Sequence, residues 1–408
     1  MAGVGEWGEQ DVSGLRAQRT AARRAERRRS ARRGAMVAAA SVVVAVGSVT
    51  GTVSALGDGR SSGDAQPQVT TRSPSLQPLP ALPSPSPSQA SASPSSSKSP
   101  SAKPTRPKPS TSKRKQQPAA APARLYRHPA SQALDWVAAH PGDARREVIE
   151  SRIADRPAAV WFADFTPSTI TARVRAVTSA AAALGRVPVV VPYAIPQRDC
   201  GGASEGGAPS LAAYDGWIDR FAAGLGSGEV IVVLEPDAIA QSGCLTEGQQ
   251  AGRFASLARA GRVIKAANPR ARVYYDAGHS DWNSTAQQAS LLDQAGAASP
   301  ASSDGIFTNV SNFHRTSDEI AYARQVLSAL GGPASLGAVV DTSRNGNGAP
   351  ADGEWCDPAG RKIGQAPTLK TGEARIDAYL WVKLPGESDG CKGTPGTFSP
   401  AYAYELAR

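Results

Sequence analysis

Three short acidic segments, separated by long stretches of chain, carry the side chains best suited to proton chemistry: Arg198-Asp199-Cys200, Leu234-Glu235-Pro236-Asp237 and Glu387-Ser388-Asp389-Gly390-Cys391. Carboxyl groups gathered at one cleft separate their proton affinities, because an ionised carboxylate a few ångströms away raises the pKa of its neighbour. One acid can then stay loaded near neutral pH while the others stay charged. That combination suits hydrolysis of an acetal, in which a protonated carboxyl assists the leaving oxygen and negative surroundings steady an oxocarbenium-like transition state. Trp161, Trp282, Trp355 and Trp381 lie beside these or neighbouring motifs and offer flat faces for the C–H faces of sugar rings, with core packing as their alternative use. Metal chemistry finds little support: there is no HExxH pair and no CxxC spacing, and the four histidines are His128, His140, His279 and His314. We expect no metal and no cofactor.

Such side chains need a frame that brings distant segments together. Short apolar runs at 158–162, 187–195, 230–234, 272–276, 305–309, 337–341 and 377–382 predict seven strands. Helical patterns near 168–184, 211–225, 246–267, 284–297 and 316–331 lie between them. This alternation predicts right-handed βα units around a parallel sheet buried on both faces, closed or nearly closed into an α/β barrel. An open doubly wound sheet is the alternative, but no Gly-rich phosphate loop follows the first strand. In a parallel barrel the functional groups collect at the C-terminal ends of the strands. Tyr193, Asp199, Glu235, Asp237, Asp276, His279, Asn309, Asn312, Asp341, Arg344, Lys383, Glu387 and Asp389 all lie in the last residues of predicted strands or shortly after them.

The chain of 408 residues has a formal net charge of +10, but the excess is confined to one region. Residues 1–123 hold 18 Lys and Arg against 6 Asp and Glu, and the remaining 285 residues hold 27 against 29. The part able to build a core is not basic, which sets aside a nucleic-acid partner. Residues 1–33 read as a basic cytoplasmic leader, and 34–57 as an uncharged run long enough to cross ~30 Å of hydrocarbon. We read that run as a retained transmembrane anchor under the positive-inside rule, with a cleaved signal peptide as the alternative, since Val53-Ser54-Ala55 offers a small-residue cleavage site. Residues 58–123, rich in Pro, Ser and Lys, form a disordered linker without the apolar side chains for a core, and residues 124–408 are the catalytic domain. This arrangement predicts an extracellular protein, secreted or tethered to the membrane, and a monomer. Export favours disulfides among Cys200, Cys244, Cys356 and Cys391, which allow three pairings. Joining Cys200 to Cys244 and Cys356 to Cys391 would brace two pairs of strand-end loops, each bridge contributing ~3–4 kcal/mol in the loop-entropy model.

Six segments in order, YAIPQRDCGGAS (193–204), VVLEPDAIA (232–240), YYDAGHSDW (274–282), NVSNF (309–313), VVDTSRNGNG (339–348) and WVKLPGESDGC (381–391), resemble glycoside hydrolase family 6. These are endoglucanases and cellobiohydrolases that cleave β-1,4-glucan with inversion, and the likeness covers about 124–408. The resemblance implies a distorted barrel of seven parallel strands with an open substrate groove. It also implies that Asp237 is the general acid, that Asp199 raises the pKa of that acid, and that Asp389 is the base. A chain of solvent involving Asp199 is the alternative route for activating water, with Tyr193 and Ser204 near the scissile sugar. Asp276 is implied to order the site. Trp161, His279, Trp282, Asn312, Trp355, Lys383 and Glu387 match glucosyl-binding positions, the strand-end Asn309 is taken with them as substrate-binding, and the family pairs Cys200 with Cys244 and Cys356 with Cys391. Only 43 and 34 residues lie between the paired cysteines, short for loops that would roof a tunnel, so the expected action is endo rather than exo. The competing readings are an exo-acting cellobiohydrolase, a retaining glycosidase with Glu235 or Glu387 as nucleophile, and a surface protein that binds glucan without turning it over.

Overall fold

The computed structural model describes residues 124–408; the leader, anchor and linker read from the sequence lie outside the described residues. Seven parallel strands form one sheet in sequence order: β1 Val160–Phe162, β2 Val189–Pro192, β3 Val230–Leu234, β4 Ala271–Asp276, β5 Gly305–Thr308, β6 Gly337–Asp341 and β7 Ile376–Leu380. The sheet curls into an arc, and its two edges approach one another. Ala159 N donates to Trp381 O at 2.9 Å, and the Trp161 indole donates to Val382 O at 2.7 Å. No ladder joins β1 to β7 in the strand order, and the β6–β7 register shifts between Ala338 and Val339. This is the distortion expected of the seven-stranded arrangement.

The strands read as continuous apolar runs because both faces are buried, with successive side chains pointing to opposite sides. Val191, Val233, Tyr274, Phe307, Val339 and Leu380 fill the inside of the arc. Their neighbours Val190, Val232, Val273, Tyr275, Ile306 and Val340 face the surrounding helices. Of the eight helices, α1 Gln132–Ala139, α2 Arg146–Ile149 and α8 Pro400–Ala407 gather in a separate apolar cluster with Ile153 and Leu384, while α3 Ile170–Ala183, α4 Leu211–Ala222, α5 Glu247–Ala267, α6 Thr285–Gln294 and α7 Thr316–Leu330 cover that outer face. Five of them match the predicted helices. The eight-residue α1 and α8 and the four-residue α2 have no counterpart among the predicted helices, since little more than two turns leave little periodicity to read.

The predicted second strand, 187–195, is broken. Arg186–Val187 pairs in parallel with Arg124–Leu125, and β2 begins only at Val189. Pro188 stands at the interruption and has no N–H to give to a ladder. Leu125 and Val187 pack against the inner side chains of the arc and close its N-terminal end. Among the described residues no helix is long and apolar enough to cross a membrane.

Candidate active site

The C-terminal ends of β2, β3 and β4 place three carboxylates around one point. Asp237 lies three residues beyond β3, half-buried, with φ of +68°, and Tyr193 Oη donates to its Oδ2 at 3.4 Å. Burial, followed by the charges of Asp276 and Asp199, holds the Asp237 carboxyl well above the ordinary carboxylate range; the Tyr193 hydroxyl and Lys383 oppose the shift without cancelling it. Asp276, the last residue of β4, is buried and accepts from the backbone N–H groups of Ile239 at 3.1 Å, Ala240 at 2.9 Å and Gly278 at 2.9 Å. Burial pushes Asp276 up as well, but those donors stabilise its charged form. Three backbone donors thus oppose the rise at Asp276, whereas Asp237 has the Tyr193 hydroxyl and Lys383 against it.

Asp199 sits on the loop after β2, also at positive φ. Its Oδ2 accepts from Ser204 N at 2.8 Å and Ser204 Oγ at 3.0 Å, and Ser204 Oγ lies 3.0 Å from Tyr193 Oη. Asp199, Ser204, Tyr193 and Asp237 are thus linked by one chain of polar contacts. Arg198 anchors this loop: its Nε donates to Ser204 O at 2.8 Å, its guanidinium also meets Ala163 O at 2.5 Å and Tyr193 O, and it covers the Tyr193 ring at 4.6 Å. Non-glycine residues rarely adopt positive φ, and Gln197, Asp199, Cys200, Glu235, Asp237, Asn309, Ser311 and Asp357 all do so in the loops beyond the strands. Backbone strain of this kind collects where surrounding contacts over-determine a functional geometry.

Asp389 occupies the β7 side. Its side chain is 8% exposed and lies 2.6 Å from the fully buried Arg344 and 3.3 Å from Lys383 Nζ. Oδ2 takes the Arg344 contact together with Asp357 N at 3.2 Å, while Oδ1 faces Lys383. Glu387 is half-buried, accepts from Gln132 Nε2 at 3.3 Å, and burial pushes its pKa up to about 7.

The remaining expected sugar contacts divide. Trp355 is 54% exposed, one of two large apolar side chains on the described surface to be so. Trp161 is half-buried and edge-on to Tyr193, their centroids 5.2 Å apart. Trp282 lies 5.1 Å from the His279 ring, which stacks on His314 at 4.1 Å. Burial and His314 hold His279 down to about 3, so it is a neutral imidazole in this site. Gly278, at φ of +64°, precedes it, and a Cβ there would come within 2.9 Å of Ala240 and 3.0 Å of Trp282. Asn312 is half-buried and accessible.

Asn309 differs from the expectation. It is fully buried; its Nδ2 donates to Asp341 O at 2.8 Å and His314 O at 3.2 Å, and its Oδ1 accepts from His314 N at 3.0 Å. Its amide shapes the loop after β5 and has no face left for a ligand. Trp381 is buried as well, its indole donating to Gln365 O at 3.0 Å, and packs as core. Glu235 cannot serve as a nucleophile: it is 0% exposed, and its carboxylate accepts from Ala194 N at 2.9 and 3.0 Å and Ile195 N at 3.0 Å, pinning the loop that carries Tyr193.

Both disulfides pair as expected, Cys200 with Cys244 and Cys356 with Cys391, at Cα separations of 6.0 and 5.8 Å. The first ties the Asp199 loop to the segment after Asp237, and the second ties the Trp355 loop to the Asp389 loop. Three groups that hold the site together were not assigned a role from the sequence. Arg344 was visible only as a residue following β6; Asp357 and Gln132 gave no signal beyond the closeness of Asp357 to Cys356.

Comparison with known proteins agrees with this arrangement. A family model described as glycosyl hydrolases family 6 matches residues 116–405. The chain is 57% identical to an endoglucanase 1 of Streptomyces sp. strain KSM-9, over 67% of this chain and 75% of that protein. It is 51% identical to endoglucanase A of Thermobispora bispora, over 69% of this chain and 61% of the relative. Among solved structures, the endoglucanase Cel6 of Mycobacterium tuberculosis, in complex with methyl-cellobiosyl-4-deoxy-4-thio-β-D-cellobioside, superposes with a TM-score of 0.65 at 39% identity, over 70% of this chain and 96% of that one. With seven parallel strands in sequence order, a cluster of acids at their C-terminal ends and a family match across nearly all the described residues, the chain is a member of glycosyl hydrolases family 6.

Proposed function

We propose that the protein is an inverting endo-β-1,4-glucanase in which Asp237 is the general acid. The observation that carries this reading is the raised, half-buried Asp237 carboxyl, contacted by Tyr193 and set beside the charges of Asp276 and Asp199. A protonated carboxyl can deliver its proton to the leaving glycosidic oxygen, and the adjacent negative charges then stabilise positive charge developing on the sugar. Asp389 takes the role of base through Oδ1, the oxygen not held by Arg344 and the Asp357 N–H. The chain from Asp199 through Ser204 to Tyr193 favours a second route, in which water is activated from the Asp199 side.

Endo action is supported by the relatives named as endoglucanases and by the short disulfide-bounded loops. The exposed Trp355 suits a glucan lying across an open groove, with Trp161, Trp282, His279, Asn312, Lys383 and Glu387 along it. Residues 34–57 would hold the enzyme at a membrane or direct its export, with 58–123 as spacer.

Incubation with carboxymethylcellulose and cello-oligosaccharides tests the reading. A rapid fall in viscosity with α-anomer products is the expected result; release of cellobiose with little viscosity change would overturn endo action, and β-anomer products would overturn inversion. The pH profile carries a second expectation. Asp237 must be protonated in the free enzyme, so kcat/KM should hold on the acid side of its raised pKa and fall as pH rises through it, giving an alkaline limb well above the usual carboxylate range. An alkaline limb at an ordinary aspartate pKa would show that another group supplies the proton.

A further inference from the structure

Asp357 lies outside the chain of acids described above, yet its side chain is one of the most heavily coordinated carboxylates in the described fold. It is 3% exposed and at φ of +49°. Its Oδ2 accepts from Ser388 Oγ at 2.6 Å, Lys392 N at 2.8 Å and Cys391 N at 3.0 Å, and its Oδ1 accepts from Asp389 N at 2.8 Å. In return its own N–H donates to Asp389 Oδ2 at 3.2 Å. The contact is reciprocal: the carboxylate of 357 holds the backbone of 389, and the backbone of 357 holds the carboxylate of 389. The adjoining Cys356–Cys391 disulfide closes the same ring covalently, and Trp355, the residue before Cys356, is 54% exposed.

We infer that Asp357 is a positioning residue for the reaction, which fixes Asp389 and joins it rigidly to the aromatic platform of Trp355. Four donors converging on one carboxylate stiffen the turn 388–392, leaving Asp389 a single orientation toward the mouth. A glucan stacked on Trp355 is then registered against Asp389 through three consecutive residues. This rests on the glucanase reading, and it concerns how Asp389 is held rather than whether Asp237 gives the proton.

The test is a double-mutant cycle on the full chain with soluble β-1,4-glucan, using Asp357→Ala, Asp389→Ala and the pair, with Asp357→Asn as the milder variant and wild type and Asp237→Asn alongside. A misplacement of about 1 Å in a reacting group costs on the order of 100-fold in rate. Asp357→Ala should therefore lower kcat by about 10- to 100-fold, with KM and cellotetraose affinity changing less than about threefold. Asp357→Asn, which must turn an N–H₂ toward at least one donor, should fall in the same direction. Adding Asp357→Ala to Asp389→Ala should cost little more, because both act through one group. Independent, additive losses would overturn the proposal, as would a loss in Asp357→Ala that tracks only its thermal unfolding, or full turnover in Asp389→Ala. An inactive wild type would sink the glucanase reading itself, which an additive cycle in an active enzyme leaves standing.

Discussion

Asp237→Asn should abolish most hydrolysis of β-1,4-glucan while leaving cello-oligosaccharide affinity close to that of the parent. General acid assistance is worth about 100- to 10,000-fold, and a poor alkoxide leaving group places this enzyme toward the upper end. The asparagine keeps the size of the side chain and can still meet Tyr193 Oη, so the loop beyond β3 has no reason to move. What disappears is the transferable proton and, with it, the alkaline limb of the pH profile. Single-turnover assays together with calorimetric titration of cellotetraose would separate the two effects. Turnover within tenfold of wild type would assign the acid elsewhere, and a matching loss of affinity would make Asp237 a binding group. A protein that only binds glucan would show no turnover in either form.

The second large effect concerns stability. Arg344 is fully buried, lies over the Phe313 ring at 4.4 Å, and donates to Asp389, to Ser311 O and, at 3.4 Å, to Tyr402 Oη. Replacing it by Met keeps much of the volume but leaves a nearly buried carboxylate with Lys383 as its remaining cation. Breaking one side of a buried pair costs about 3–5 kcal/mol, more than the pair contributes over an apolar replacement, because the surviving charge has lost both water and its partner. Urea unfolding with the disulfides intact should show a loss of that order for Arg344→Met. Pairing it with Asp389→Asn should recover part of the loss. A change below about 1 kcal/mol would mean that solvent or Lys383 already compensates Asp389.

These expectations differ in how far the sequence anticipated them. Asp237 stood out because a carboxyl two residues beyond Glu235, after a fully apolar strand, falls at the end of a parallel strand where functional groups collect. The partner of Asp389 did not. Arg344 and Asp389 are 45 residues apart, and nothing local marks that one neutralises the other. Asn309 misled for a related reason: a strand-end amide is chemically fit to bind a sugar hydroxyl, and only the proximity of His314 and Asp341 consumes its hydrogen-bonding groups. Trp381 lay in a suitable motif but faces the core.

By itself the sequence determined the seven-strand order, the side of the sheet that would carry chemistry and the set of candidate acids, while the disulfide pairing was implied by the family resemblance. The first three follow from local composition and from the rules that parallel strands impose on their connections. Tertiary structure decided which acid is pushed towards its protonated form by burial and neighbouring charge, which is tied to cations, and which is walled in by backbone donors. Proton affinity depends on burial and on charges within a few ångströms, and those distances arise only when strand ends far apart in the chain meet around a common axis. Asp199, Asp237, Asp276, Asp357 and Asp389 are the same residue type; their surroundings make them different groups.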